Sequence, residues 1–175
     1  MKRYIAFLRA INVGGTTIIK MSELKHMFVS FGLEHVETYI QTGNVIFDSD
    51  ENRAPDLEKR IERQLADAWG KQIRLFLRTT REVAAMADSC PFAPQQGETV
   101  HVAILEKKPD KKSIDALLSL RSEADDFAVV GREVFNLRRD RDASIFSNNF
   151  IEKTLGVAGT TRNLTTIKKL GGRYI

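Results

Sequence analysis

The segment from Val36 to Ser49 constrains the fold of this chain more than any other, because it carries two strands and the turn between them. Two β-rich runs, at 36–40 and 45–47, flank the tetrapeptide Gln41-Thr42-Gly43-Asn44. Short β-rich runs separated by a few residues that include glycine are typical of a β-hairpin. Glycine adopts a positive φ at low cost, and the asparagine after it tolerates one. We therefore predict a hairpin that lies beside an earlier, more apolar strand.

The residues on either side of this hairpin complete a ferredoxin-like half. Residues 4–13 are apolar except for Arg9 and Asn12, as expected of a central strand covered on both faces. Apolar residues at helical spacing follow at 24–31 and 57–69, and 73–77 is predicted to be a last strand. The order strand–helix–strand–strand–helix–strand over about residues 3–78 is the split βαβ pattern. We expect 4–13 and 45–47 to be neighbouring inner strands, with both helices on one face of their sheet.

The rest of the chain is predicted to repeat part of this pattern. Thr79 and Glu82 have the spacing of a capping box before a short helix, and the stretch 90–97, rich in proline and glycine, is typical of a linker. A strand at 99–105, a helix capped by Asp110, a hairpin at 127–137 and two helices at about 148–155 and 161–170 follow. The predicted fold class is α+β: a ferredoxin-like βαββαβ half at 1–80, a helix and linker at 81–98, and a related βαββ half with two C-terminal helices at 99–175, packed with the first.

Composition narrows the class of protein further. The 175 residues include one cysteine, Cys90, so no internal disulfide framework is possible and the cytoplasm is the expected compartment. The apolar runs fall short of the roughly 18 residues that a membrane span requires. Arg9 also interrupts what a signal peptide needs as its apolar region. No association with a membrane is expected.

The net charge of +4 is unevenly distributed. Residues 1–99 hold 13 basic and 13 acidic side chains, whereas residues 100–175 hold 14 and 10. Such a surplus attracts anionic partners, but interleaved acidic residues also suit an ordinary solvated surface. A ferredoxin-like sheet can bind RNA through aromatic residues on its middle strands, and the aromatic run of that module is missing here. Any affinity for nucleic acid is therefore expected to be weak and to vanish as salt rises.

The sequence contains no standard catalytic or cofactor signature. Gly14-Gly15 lies between a strand and a helix, but neither the dinucleotide-binding fingerprint nor the P-loop spacing is complete. His26, His35 and His101 have no metal-ligand spacing with one another or with Cys90. Each histidine is predicted to be a surface or edge residue. The sequence thus indicates no reaction, no cofactor and no metal site.

Three polar stretches remain as candidates for a binding site. Arg9 requires either an acidic partner or a ligand anion, since an unpaired buried charge is costly. The turn at 41–44 is explained either by turn chemistry alone or by a ligand. Residues 159–164 are predicted to be a loop entering a helix, where capping explains the threonines, although free N–H groups and an arginine also suit a phosphate or carboxylate. The candidate ligand-binding residues are Arg9, Asn12, Gly14, Gly15, Gln41, Gly43, Asn44, Thr161, Arg162 and Asn163.

These stretches belong to motifs that resemble those of a known family. The motifs are Y-I-A-F-L-R-A-I-N-V-G-G (Tyr4–Gly15), M-S-E-L-K (Met21–Lys25), T-Y-I-Q-T-G-N-V-I-F (Thr38–Phe47), F-I-E-K-x-L-G (Phe150–Gly156) and T-T-R-N-L-x-T-I-x-K-L (Thr160–Leu170). Together they span essentially the whole chain and are similar to the hallmarks of the bacterial Domain of Unknown Function 1697 family. The resemblance implies a cytoplasmic α+β protein with a ferredoxin-like N-terminal half and implies no established activity. The polar positions of its motifs match the ten candidate residues, whereas many relatives carry tryptophan in place of Leu164 and Ser-Lys-Leu in place of Ser144-Ile145-Phe146.

The leading hypothesis is a protein that binds a small anionic ligand or metabolite at these polar strand and helix ends. The alternative is an interaction module without catalytic activity, which forms a homo-oligomer or binds another protein or, weakly, nucleic acid. In a third interpretation the polar motifs only hold the two halves together. If Arg9 and Arg162 converge on an anion, we expect them near the same cleft with no carboxylate fully occupying either guanidinium.

Overall fold

The computed structural model describes residues 1–13 and 17–174, which form two compact units that meet in the chain between Glu82 and Val83. The elements of the first unit are β1 (Lys2–Leu8), α1 (Met21–Ser30), β2 (Glu34–Tyr39), β3 (Asn44–Ser49), α2 (Ala54–Trp69), β4 (Leu75–Thr79) and the start of α3 (Thr80–Asp88). The second unit contains the remainder of α3, then β5 (Thr99–Leu105), α4 (Lys111–Leu118), β6 (Asp125–Val130), β7 (Glu133–Arg138), α5 (Asn148–Leu155), β8 (Gly159–Asn163) and α6 (Leu164–Arg173). Within the described residues, no helix has the length and apolar character needed to cross a membrane.

The first unit is a ferredoxin-like sheet with its two helices on one face. The strand order is β2-β3-β1-β4, and every neighbouring pair is antiparallel. This order is the one that a βαββαβ chain produces when each helix connects two parallel strands with a third between them. Phe28 of α1 and Ile61 of α2 belong to the same buried cluster as Tyr4 and Phe47 of the inner strands. The predicted topology, the predicted hairpin and the common helix face are confirmed.

Strand β1 is shorter than the sequence indicates, since it ends at Leu8 rather than at Val13. Ala10 and Asn12 have φ angles of 55° and 54°, in the left-handed region that strand residues do not adopt. The apolar run 4–13 therefore divides into a strand and an irregular segment. The Gly14-Gly15 pair, predicted to open the loop after this strand, lies outside the described residues.

The outer edge of the first sheet is covered by carboxylates from helix α2. On the edge strand β4, the N–H of Leu75 donates to Glu62 at 3.0 Å and the N–H of Leu77 donates to Glu58 at 2.8 Å. Both leucines have a partner in β1, but their N–H groups point away from it, because only alternate residues of an antiparallel pair exchange backbone hydrogen bonds. The carboxylates thus satisfy donors that an edge strand otherwise offers to another chain.

Side-chain caps mark helix starts at the predicted positions. The N–H of Thr79 donates to Glu82 at 2.7 Å, and the N–H of Glu82 donates back to Thr79 Oγ1 at 3.2 Å. Asp110 accepts from the N–H of Ser113 at 2.7 Å at the start of α4. The predicted capping box and the predicted Asp110 cap are confirmed.

The second unit repeats the topology of the first. Its strand order is β6-β7-β5-β8, again antiparallel throughout. The predicted strand, helix and hairpin before residue 138 are confirmed. The predicted loop at 159–164, entering a helix at about 161, is wrong: residues 159–163 form strand β8, in which Thr160 lies opposite Ile104 and Arg162 opposite Val102, and the helix begins only at Leu164. The unit is therefore a complete βαββαβ arrangement followed by α6. A short polar segment has no apolar alternation of its own, so its strand conformation depends on pairing with β5.

Helices α4 and α5 cover one face of the second sheet. Leu117 and Ile151 from these helices pack in one buried cluster with Ala103, Phe127 and Val134 from the strands. Because side chains alternate along a strand, the same face continues toward the N-terminal end of β5 with Thr99 and His101. At that end the apolar face becomes polar.

Candidate functional site

Asn12, the first candidate from the sequence, ties the segment after β1 to the hairpin turn. Its Nδ2 donates to the carbonyls of Ile19 at 3.0 Å and Gln41 at 2.8 Å, and its Oδ1 accepts from the N–H of Ile19 at 2.9 Å. Both donor hydrogens and the acceptor oxygen of the amide are therefore engaged within the first unit. The contact to Gln41 is made through the backbone, and the Gln41 side chain is exposed.

Gly43 and Asn44 are positioned by the packing of the turn. Gly43 has a φ of 85°, and a Cβ at this position would lie 2.6 Å from Cδ1 of Ile11. Asn44 is fully buried, and its Nδ2 donates to the Tyr39 carbonyl at 2.9 Å and to Thr42 Oγ1 at 3.1 Å. The structure thus brings Asn12, Gln41, Gly43 and Asn44 together as one hydrogen-bonded turn.

Arg9 follows β1 directly and is half-buried rather than fully buried. Its backbone N–H donates to the carbonyl of Arg74 at 2.9 Å, which extends the pairing of β1 with β4 by one residue. Arg9 therefore lies at the end of the inner strand β1 and not, as predicted, in its interior.

The candidate residues of the third stretch, Thr161, Arg162 and Asn163, lie on two opposite faces of strand β8. Thr161 and Asn163 point to the face of the second sheet that carries His101, whereas Arg162 points to the opposite face. Arg162 is 7% exposed, and its Nη1 donates to Thr160 Oγ1 at 2.9 Å and to the carbonyl of Thr161 at 2.8 Å. Burial lowers the pKa of Arg162 to about 10, so the guanidinium keeps its charge at neutral pH. The side chain of Asn163 caps α6 by accepting from the N–H of Thr165 at 2.9 Å.

A basic cleft in the second unit is a candidate binding site, and its residues were not among those predicted from the sequence. Its volume is about 420 Å³, and it is lined by Gly97, Thr99, His101, Arg138 and Arg141. Thr99 and His101 are two residues apart on β5 and share a face. Arg138 lies directly opposite Thr99 at the end of β7. Strand pairing therefore brings together residues that are distant in the chain.

Arg138 and Arg141 carry positive charges into this cleft. Arg138 is half-buried, with its guanidinium 5.9 Å from the centre of the Phe146 ring, and its Nε is buried and makes no hydrogen bond. Arg141 is exposed. Across residues 1–13 and 17–174, no carboxylate forms an ion pair with either guanidinium.

His101 has the most perturbed environment of the three histidines. It is half-buried on the inner strand β5, its ring lies 5.5 Å from that of Phe146, and its Nδ1 is buried without a hydrogen-bond partner. The pKa of His101 is lowered to about 4, mainly by burial and secondly by the charge of Arg138, whereas Asp125 and the nearby Asn136 side chain oppose the shift. The prediction of a surface or edge residue is wrong for His101, because β8 pairs with β5 and makes it an inner strand. The prediction is confirmed for His26 and His35, which are exposed.

A buried carboxylate, Asp125, stabilises the position of a segment that lines the cleft. Asp125 is fully buried and lies opposite Arg138 in the β6–β7 pair. It accepts from Asn136 Nδ2 at 2.8 Å, from Ser144 Oγ at 2.7 Å and from the N–H of Ile145 at 2.8 Å. These bonds hold the segment after β7, which carries Arg141 and Phe146, against the sheet.

Sequence reasoning missed this cleft for a definable reason. Arg138, Arg139 and Arg141 were visible only as part of a basic surplus, and alternation shows which of them share a face only when the strand register is known. A Thr-x-His pattern at the start of a predicted strand is a weak signal on its own. Within the described residues, no three histidine, cysteine or acidic side chains are grouped in a way that could hold a metal ion.

The fold and the cleft define an α+β protein of two ferredoxin-like units with a basic site on the second. The chain belongs to the family described as "Protein of unknown function (DUF1697)", whose model matches residues 1–135. That match includes Thr99 and His101, whereas Arg138, Arg141 and β8 lie beyond it. The resemblance seen in the sequence motifs is confirmed.

One solved structure shares the fold over nearly the whole chain. The conserved bacterial protein SP0830 from Streptococcus pneumoniae is 23% identical, and the alignment covers 98% of this chain and 97% of that one with a TM-score of 0.72. At this identity the similarity shows the fold alone. No curated protein matches the chain.

Proposed function

We propose that the protein binds a small ligand bearing a phosphate or carboxylate group in the basic cleft of its second unit. The observation that carries this proposal is the pair Arg138 and Arg141, whose guanidinium groups line one cleft and form no ion pair with any described carboxylate. The Nε of Arg138 is in addition buried without a partner. The charge of Arg138 therefore has no described counter-charge, and an anion in the cleft supplies the one that the protein does not.

The other properties of the cleft support the same class of ligand. Its volume of about 420 Å³ lies in the range of about 300–1,000 Å³ that is usual for small-molecule sites. Guanidinium groups bind carboxylate and phosphate through parallel charge-assisted hydrogen bonds. Thr99 and His101 add a hydroxyl and an imidazole beside them. We assign binding, and no reaction, to this arrangement.

Two of the residues singled out in the sequence lie close to this site. Asn163 is directly opposite His101 in the β5–β8 pair, and Thr161 shares its face of the sheet. We propose that these two residues border the ligand. That the other candidate residues (Arg9, Arg162, Gly14, Gly15, Gln41, Gly43 and Asn44) also bind an anion stays a separate prediction.

The test is a thermal and calorimetric titration with inorganic phosphate at constant ionic strength. Wild-type protein is expected to gain stability with phosphate, because a ligand that binds only the folded state adds about 2.7 kcal/mol at a hundredfold excess over its Kd. Arg138→Ala is expected to lose most of that gain and to bind phosphate at least tenfold more weakly. The double variant R138A/R141A is expected to show no response.

Arg139→Ala is the matched control. Arg139 is adjacent in sequence and has the same charge, but its guanidinium lies 3.5 Å from Asp126 and 4.0 Å from Glu98. Its removal lowers the net charge as much as the removal of Arg138 does and is expected to leave the phosphate response unchanged. Equal losses in the two variants, or no response in the wild type at millimolar phosphate, contradict the proposal.

A further inference from the structure

Building on the proposed function, we propose that the cleft selects a doubly charged tetrahedral oxyanion, the class to which phosphate monoesters belong, and that its binding adds a proton to His101. The ligand class and the proton uptake are two consequences of one arrangement. In that arrangement the imidazole of His101 lines the same cleft as Arg138 and Arg141 and lies opposite the amide of Asn136.

The first element is a pair of unsatisfied atoms. His101 and Asn136 lie directly opposite each other on β5 and β7. His101 Nδ1 and Asn136 Oδ1 are both buried and form no hydrogen bond of ordinary geometry, but the Asn136 side chain is close enough to raise the pKa of His101. Asn136 Nδ2 donates to Asp125 at 2.8 Å, so the amide oxygen is the polar atom of Asn136 that still lacks a hydrogen bond. A proton on His101 Nδ1, donated to Asn136 Oδ1, satisfies both atoms at once.

The second element is the tautomer that follows from this pair. If Nδ1 keeps its proton for Asn136, then Nε2 is the nitrogen that gains or loses a proton. In the neutral ring Nε2 is an acceptor and has nothing to offer an anion. In the charged ring Nε2–H becomes a donor, and a charge-assisted hydrogen bond to a bound oxyanion is then possible.

The third element is the balance of charge around the ring. The charged groups that face His101 are Arg138 on β7, Arg141 in the segment after it and Asp125 on β6, whereas β8 contributes the uncharged Asn163. In the empty cleft, burial and Arg138 hold the pKa of His101 at about 4, so the ring is neutral at pH 7. Asp125 is occupied by three hydrogen bonds in either state.

A dianion reverses this balance, whereas a monoanion does not. Arg138, Arg141 and Asp125 together carry one net positive charge. A dianion turns this into one net negative charge, which favours the imidazolium against the effect of burial, and the oxyanion also accepts the new Nε2–H bond, so both effects raise the pKa of His101. A monoanion only balances the three groups, and burial then keeps the ring neutral. The cleft therefore distinguishes anions by charge more than by shape.

The experiment compares sulfate with perchlorate, two tetrahedral oxyanions that differ in charge and do not titrate between pH 6 and pH 8. Calorimetry of wild-type protein at pH 6.5, in buffers of different ionisation enthalpy, is expected to show proton uptake with sulfate and none with perchlorate. Sulfate affinity is expected to rise at least threefold from pH 8 to pH 6, because binding that takes up a proton strengthens as the pH falls. The ring resonances of His101 report the same titration directly by NMR.

The variants separate this inference from the proposal beneath it. His101→Asn and His101→Gln are expected to bind sulfate with no dependence on pH, while H26N, which alters an exposed histidine of α1, keeps the wild-type profile. Sulfate and perchlorate of equal affinity, bound without proton uptake, overturn the present inference and leave anion binding intact. Absence of any oxyanion binding, or binding that R138A does not weaken, overturns the proposed function itself.

Discussion

Arg138 and Arg139 are consecutive residues with opposite electrostatic surroundings. The guanidinium of Arg139 lies 3.5 Å from Asp126 and 4.0 Å from Glu98. That of Arg138 lies over the ring of Phe146, with Nε buried and without a partner. Successive side chains of an extended chain point to opposite sides. Arg139, directly after β7, therefore lies beside two carboxylates, whereas Arg138 lines the cleft. This difference supplies a matched pair for experiments on stability as well as on binding.

In the absence of oxyanions, Arg138→Met is expected to leave the free energy of unfolding unchanged or to raise it by up to about 1 kcal/mol. Methionine keeps an apolar stem beside Phe146 and removes a partly buried cation that has no partner. Arg139→Met is expected to lower the free energy of unfolding by less than about 1 kcal/mol, because surface ion pairs contribute little. Urea titrations in chloride buffer measure both values. A loss above 2 kcal/mol in R138M alone shows that Arg138 has a structural role.

Arg162→Ala distinguishes the cleft from an anion site at Arg162. The variant is expected to be less stable than the wild type, because Arg162 is buried and bonds to Thr160 and to the carbonyl of Thr161. Its stabilisation by phosphate is expected to persist, since Arg162 points to the face opposite His101. Thermal melts with and without phosphate give both quantities. Loss of the phosphate response in R162A, together with its retention in R138A, shows that phosphate binds at Arg162 and not in the cleft.

Gly43→Ala is expected to destabilise the protein by roughly 2–4 kcal/mol. The residue has a φ of 85°, and the added Cβ meets Ile11 Cδ1 at 2.6 Å, so backbone strain and overpacking act together. Gly131→Ala is the control, because Gly131 also has a positive φ of 60° but its nearest neighbour to an added Cβ is 3.9 Å away. The difference between the two free energies of unfolding isolates the steric term. Equal losses contradict the close approach of the turn to Ile11.

The stability of the empty protein is expected to fall as the pH decreases from about 6.5 to about 4. The pKa of His101 is lowered to about 4 in the folded state, whereas an unfolded histidine titrates near 6.5. Over this interval the unfolded chain binds a proton that the folded chain does not, so the free energy of unfolding increases with pH. H101N is expected to show a shallower dependence in denaturant titrations across this range. Parallel curves for the two proteins contradict a depressed pKa.

Glu62→Ala is expected to lower stability by about 1 kcal/mol and to promote association at high concentration. The substitution removes the side-chain acceptor of the Leu75 N–H, which belongs to the edge strand β4. Glu62→Gln retains an acceptor and is expected to lose less. Asp67→Ala, an exposed change on the same helix, serves as the control. Denaturant titrations and light scattering measure the two effects, and a monodisperse E62A of wild-type stability contradicts the capping role.

The sequence by itself determined the first unit almost completely. Local chemistry is sufficient there: glycine permits the turn of the hairpin, apolar residues at helical spacing place α1 and α2 on one face, and short connections leave one strand order for a βαββαβ chain. The overestimated length of β1 has the same local origin. The apolar run continues to Val13, but Ala10 and Asn12 have left-handed backbone conformations. In this conformation the side chain of Asn12 contacts the carbonyls of Ile19 and Gln41.

The candidate site shows where local chemistry becomes insufficient. The sequence identified polar residues at strand ends, and the structure engages Asn12, Gly43 and Asn44 in a hydrogen-bonded turn. It divides Thr161, Arg162 and Asn163 between two faces of a sheet. The alternation that separates them exists only because residues 159–163 are a strand, and a short polar segment becomes a strand only when β5 pairs with it.

The cleft was decided by tertiary structure alone. Thr99 and His101 precede Arg138 and Arg141 by some forty residues, and only the register of β5 against β7 places Thr99 opposite Arg138 and His101 opposite Asn136. A shift of one residue in the register of β5 against β7 would place His101 and Arg138 on opposite faces. The loss of solvent around His101 and the missing partner of Arg138 are likewise products of packing. Local sequence specifies which charges the chain carries, whereas strand register decides which of them meet without a counter-charge.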